Sequence, residues 1–181
     1  AWKHTEDAVV LVGGHSTNVT IVGNFCGKGD LIIYDALVHN SIHEGTRLSD
    51  AESRPFPHND TAALETILRS CRDKYAKVLI VAEGVYSMDG DIAPVPELVR
   101  IKKEFGCFLM IDEAHSACVL GKTGGVSVVH HGDRTSAGFG EHFGDVHADP
   151  GLVQIGHVAE LLTHVNRSRE SDADRSGFRN L

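Results

Sequence analysis

VLIVAEGVYSMDGDIAPVPELVRIKKEFGCFLMIDEAHS, residues 78–116, decides the fold. Residues 78–82 (VLIVA) form a compact apolar run, and residues 107–111 (CFLMI) form another. Each has the length of a buried strand and is followed at once by polar residues. Between them Pro94 and Pro96 open a helix over Val95–Phe105, and Gly106 closes it. Near-continuous apolar strands joined by an amphipathic helix predict an α/β fold, a mostly parallel sheet flanked by helices on both faces.

The pattern continues towards the N-terminus. Residues 31–34 (LIIY) predict another strand, ending at Asp35, and residues 8–12 (AVVLV) predict one that ends at Gly13-Gly14. Helical faces are expected over residues 18–26, stopped by Gly27 and Gly29, and over residues 39–47. Pro55 and Pro57 are expected to break the chain. Asn59 or Asp60 then caps a helix in which Leu64, Ile67, Leu68 and Cys71 repeat at helical spacing. Beyond Gly125 the periodicity fades: residues 126–156 read as a degraded continuation of the same domain, and residues 157–181 as a polar, disordered tail. In a parallel sheet ligands lie beyond the carboxyl ends of the strands. The residues to weigh are therefore 14–18, 35–39, 83–89 and 112–115.

Composition narrows the classes of function. The 181 residues carry a formal charge of −8 and no Lys/Arg-rich run, which argues against nucleic acid as a partner. No apolar stretch is long enough to cross a bilayer. Cys26, Cys71, Cys107 and Cys118 contain no C-x-x-C pair and read as buried thiols, which suggests a reducing, cytoplasmic setting.

Asp112 opens the chemistry. A carboxylate leaving a buried strand needs a partner, and His115 follows it by three residues. The letters D-E-A-H also occur in nucleotide-hydrolysing helicases, but those need an upstream phosphate loop ending in G-K-S/T. Gly27-Lys28-Gly29 lacks the hydroxyl residue, and Gly121-Lys122-Thr123 lies downstream. That reading fails. Two remain open on this segment alone: Asp112 caps the next turn, or it faces a cationic ring nitrogen, as in pyridoxal-phosphate (PLP) enzymes. Four histidines, His130, His131, His142 and His147, match no compact metal-ligand spacing.

Longer segments favour the ring. EGVYSMDGDIAPV (residues 83–95), GKGDLIIYDALVHNSIHEG (27–45), PHNDTAALETIL (57–68) and IDEAHSACVLGKTGGV (111–126) occur in the order found in the α-oxoamine synthases and resemble their segments closely. That family includes serine palmitoyltransferase, aminolevulinate synthase, amino-oxononanoate synthase and glycine acetyltransferase. The resemblance implies part of the large domain of a fold type I PLP enzyme, residues 1–125 being its cofactor-binding core. It implies that Asp112 pairs with the pyridinium nitrogen, His115 bonds the ring's phenolic oxygen, His39 stacks on the ring and Ser87 contacts the cofactor. Glu83 shapes the same strand end. Gly14 and His15 stand where the family holds the cofactor phosphate by backbone N–H groups, with His15 replacing the usual aromatic. A helix start there suits an anion on physical grounds too.

The implied reaction condenses an amino acid with an acyl thioester and releases carbon dioxide, in a homodimer or heterodimer. GEHFG (140–144) and LVQIG (152–156) resemble the approach to the family's T-x-S-K segment, but the chain continues HVAELLTHVNRS and its last lysine is Lys122. The Schiff-base lysine is therefore absent. Two explanations are weighed: a piece of a catalytic chain with an altered end, and a non-catalytic partner subunit. Retention of Asp112, His115 and His39 favours the first.

Overall fold

The computed structural model describes residues 9–117, 119–120 and 152–155. The element order is α1 (Gly14–Phe25), β1 (Leu31–Asp35), α2 (Asn40–Leu48), β2 (Glu52–Phe56), α3 (Thr61–Cys71), β3 (Val78–Glu83), α4 (Val95–Phe105), β4 (Phe108–Asp112) and β5 (Leu152–Ile155). The five strands form one sheet in the order β2-β1-β3-β4-β5, and every pairing is parallel. Parallel strands are joined by right-handed crossovers. The step from β1 to β2 runs in the opposite direction to the steps from β2 to β3 and β3 to β4, so α2 lies on one face and α3 and α4 on the other. The contacts agree, with α1 against α2 and α3 against α4.

The apolar runs do what their composition dictates. Ile32, Ile33, Ile80, Val81, Leu109 and Met110 are fully buried in the central strands, and Val22, Ile42, Leu64, Leu68 and Ile101 close on them from the helices. Helix α4 spans the residues read from sequence, and Gly106 ends it at φ 60°, a left-handed conformation that glycine adopts without strain. Asp60 caps α3 by accepting from Ala63 N. Cys26, Cys71 and Cys107 are buried free thiols. Burial pushes the Cys26 and Cys107 thiols up to about 11.

Three expectations are corrected. Residues 9–12 form no strand: Val9, Val10 and Val12 are 83%, 89% and 98% exposed, and Gly13 leads straight into α1. An apolar run becomes a strand only where a neighbour accepts its backbone bonds, and among the described residues none does. Helix α1 starts at Gly14, four residues earlier than expected, with Thr17 N already bonded to Gly13 O and the Ser16 and Thr17 hydroxyls donating to the same oxygen. The proline-bearing segment is a strand, β2. It is an edge strand, where the missing N–H of Pro55 is tolerated. Strand β5, inside the stretch read as degraded, was also not foreseen; the rest of residues 121–181 lies outside the described residues.

One contact fixes the spacing of α1 and α2. A Cβ built on Gly45 would stand 2.7 Å from Val22 Cβ and 3.3 Å from Asn18 O. Only a glycine lets the two helices approach this closely.

Candidate functional site

The last residue of each of the three central strands is a buried carboxylate: Asp35 on β1, Glu83 on β3 and Asp112 on β4, with 0%, 3% and 3% exposure. Burying a charge is costly unless it is hydrogen-bonded or paired, so each needs its partners stated. Asp35 is well supplied. It accepts from Leu37 N (2.9 Å), Asn59 N (2.8 Å) and His58 Nδ1 (2.9 Å). His58 reaches Asp91 with its other nitrogen (3.2 Å) and meets Tyr86 edge-on.

Burial works against charge on His58, and the Asp35 and Asp91 carboxylates outweigh it, so its pKa is raised above the ordinary 6.5. A raised folded-state value means that the stabilisation is complete below the unfolded value and is lost as pH rises through the folded one. Thermal melts across this range are therefore expected to fall with rising pH in the parent chain. The His58→Gln variant should show a flatter profile, the two differing by a few degrees at the acidic end.

Glu83 and Asp112 are served differently. They are register partners on adjacent strands and face α1 and α2 together. Glu83 accepts from His39 N at 2.5 Å. Asp112 accepts from Asn18 Nδ2 at 2.6 Å and from Ala114 N at 2.9 Å. Among the described residues neither set of partners includes a Lys or Arg. Burial, and then the neighbouring Asp112 carboxylate, raise the Glu83 pKa from 4.5 to about 7. Between those values the folded chain holds a proton there that the unfolded chain releases, so stability falls as pH rises towards 7. The pair is thus two acidic groups buried side by side, and the proximity of each disfavours charge on the other.

The imidazoles lie at its rim. His39 is the N-cap of α2, exposed, with Nδ1 turned to Ser41. His15, in the first turn of α1, bonds Glu44 at 2.9 Å and meets the His39 ring edge-on at 6.0 Å. Gly14 opens the same helix, whose first N–H groups have no side-chain cap. The structure thus brings Asp112, Glu83, His39, Gly14 and His15 to one place. His115 is exposed on the turn after β4, and Ser87 is exposed on the turn after Tyr86; neither joins the hydrogen bonds that link Asp112, Glu83 and His39. Sequence reasoning gave no role to Asn18, the last of residues 14–18, and missed Ser41; these two make the links between Asp112 and His39. The available signal was a buried-face position, since Asn18 precedes Val22 by one helical turn. Among the described residues no group of three or more His, Cys, Asp or Glu could hold a metal ion. The four histidines weighed for that role lie outside them. No helix among the described residues is long and apolar enough to cross a membrane.

Residues 2–144 match the family described as aminotransferase class I and II. A putative 8-amino-7-oxononanoate synthase of Acaryochloris marina is 39% identical over 161 residues, which is 89% of this chain and 37% of that protein. The 8-amino-7-oxononanoate synthase of Citrifermentans bemidjiense is 48% identical over 124 residues, 68% of this chain and 32% of that one. Among solved structures, serine palmitoyltransferase from S. paucimobilis with a bound PLP–myriocin aldimine matches with a TM-score of 0.65 at 38% identity, over 68% of this chain and 31% of that chain. The chain spans about a third of the length of these relatives. The resemblance to α-oxoamine synthases, and the parallel α/β architecture it implies, are borne out. With a match across residues 2–144, the chain belongs to the aminotransferase class I and II family.

Proposed function

We propose that this chain forms the cofactor-binding core of a PLP-dependent α-oxoamine synthase, which joins an amino acid to an acyl thioester with loss of carbon dioxide. The observation that carries the reading is the Glu83–Asp112 pair, two buried carboxylates side by side with no cation among their described partners. A pyridinium nitrogen fits that demand, because the attraction at Asp112 would offset the cost of burying its charge. Bound PLP supplies an electron sink for carbanion chemistry.

The chain's own residues take the roles that the family resemblance implies, and the positions of Asp112, Glu83 and His39 support this. Asp112 holds the proton on the ring nitrogen. Glu83, by accepting the His39 N–H, anchors the start of α2, where the His39 ring would help to hold the cofactor. The uncapped N–H groups of Gly14 and its neighbours favour the phosphate. His115 and Ser87, on exposed turns around the same strand ends, are assigned to the phenolic oxygen and to the cofactor rim. The amino acid, the acyl donor and the dimeric partner are part of this proposal.

The test is a PLP titration of the full chain, followed by a shift in cofactor absorbance and by equilibrium dialysis. Saturable binding that weakens in the Asp112→Asn variant supports the reading; no saturable binding by the parent chain sinks it. A second reading takes the chain as the non-catalytic partner of a catalytic homologue; it would then co-purify with that relative and bind no PLP by itself.

A further inference from the structure

Two side chains join Asp112 to His39 in an unbroken hydrogen-bonded path. Asn18 Nδ2 donates to Asp112 Oδ2 at 2.6 Å and to Ser41 Oγ at 2.9 Å. Ser41 Oγ lies 2.8 Å from His39 Nδ1, and Ser41 N approaches the same nitrogen at 3.2 Å. Asn18 and Ser41 are 1% and 0% exposed, so water does not compete for these bonds.

The direction of each bond follows from the carboxylate. Ionised Asp112 can only accept, so the Asn18 amide must present its NH2 group there. Both hydrogens of that group are then used, one on Asp112 and one on Ser41 Oγ. Ser41, having accepted, turns its own hydrogen to His39 Nδ1, and its backbone N–H makes the same demand. The neutral His39 ring therefore carries its hydrogen on Nε2. The amide orientation is dictated by Asp112 and not by the needs of Asn18, whose Oδ1 is left buried without a partner among the described residues. The reversed amide would set that oxygen against a carboxylate.

Other groups around His39 do not fix its tautomer. Glu83 engages its backbone N–H and not its ring. The His15 ring meets it edge-on and is itself bonded to Glu44, which also accepts from Asn40.

We propose that Asn18 and Ser41 are positioning residues that convert the charge of Asp112 into a single tautomer and orientation of His39. This deepens the PLP reading and rests on it for its purpose: the ring that lies on the cofactor is held in one orientation, and its support and that of the ring nitrogen are one unit. Removing either link is expected to free the imidazole without touching the cofactor.

Two measurements on the full chain test it. The first is long-range proton–nitrogen correlation of histidine-labelled protein at mildly alkaline pH, where an ordinary imidazole is neutral, with His39→Ala identifying the signals. His39 is expected as the pure Nε2–H form, its Nδ1 shifted as an acceptor. Ser41→Ala leaves only the longer 3.2 Å bond from the residue 41 N–H on Nδ1, so it and Asn18→Ala should let part of the Nδ1–H form appear, and Ser41→Thr should restore the pure form. A parent ring protonated on Nδ1, or signals that Ser41→Ala leaves in place, overturns the proposal. Ser41→Ala keeps the α1–α2 contact and so carries the test if Asn18→Ala does not fold. The second is a double-mutant cycle on PLP affinity. Asn18→Ala and His39→Ala should be non-additive by several-fold in the parent background and additive once Ser41 is Ala. Additivity in both backgrounds overturns the coupling. Absence of PLP binding would defeat the cofactor assignment, while the tautomer measurement would still decide the relay.

Discussion

Asp112→Ala is expected to weaken PLP binding by about two to four orders of magnitude. Removing one partner of a buried charge pair costs about 3–5 kcal/mol, because the other charge is left uncompensated. A factor of ten corresponds to about 1.4 kcal/mol. The isosteric change to Asn should not cost the cofactor-free chain its stability, whereas Ala also leaves the Asn18 and Ala114 N–H groups without their acceptor. Asp112 lies beside Glu83 on the neighbouring strand, and the mutual repulsion helps to raise the Glu83 pKa to about 7. Asp112→Asn relieves that repulsion and keeps the side-chain volume, so its melting temperature is expected to equal or exceed that of the parent. A capping aspartate of purely structural value would behave in the opposite way, with lower stability and unchanged cofactor affinity. Melting curves and PLP titrations on the same samples separate the two, and the titration midpoint of Glu83 should fall in both variants.

Gly45→Leu is expected to destabilise the fold by about 3 kcal/mol, the upper end of the overpacking range. The first added carbon would already stand 2.7 Å from Val22 Cβ, where neither backbone can easily retreat. Gly45→Ala should cost less, since Ala recovers up to about 1 kcal/mol of helix propensity against the same clash. Denaturant unfolding checks both values. The site should feel the change as well, because Asn18 and Ser41 face each other across this helix pair. Pushing α1 from α2 lengthens that bond, so PLP affinity in Gly45→Ala should fall although residue 45 touches no part of the site.

The legible parts of the fold were those where burial leaves no alternative. β1, β3 and β4 are buried along nearly their whole length, and their composition announces it. Helix α4 has proline at its start and glycine at its end, and its bounds could be read off the chain. β2 was not legible. Four of its five residues, Glu52, Ser53, Arg54 and Pro55, are polar or proline, and as an edge strand it owes its form to β1 and not to its own side chains. The run at residues 9–12 shows the converse, an apolar composition without a neighbouring strand to fix its conformation. The site was legible to the extent that strand ends are. Asp112, Glu83 and His39 follow directly on apolar runs or lie just beyond them. Asn18 lies inside a helix, where its partner 94 residues away leaves no mark on the local sequence.

The buried thiols have a practical consequence. With ionisation displaced to about 11, Cys26 and Cys107 hold almost no thiolate at neutral pH, and alkylating reagents need thiolate and access together. Modification can proceed only through excursions that expose the end of α1 or the start of β4. Labelling kinetics at these two positions thus act as clocks for the breathing of separate parts of the sheet, without any engineered probe.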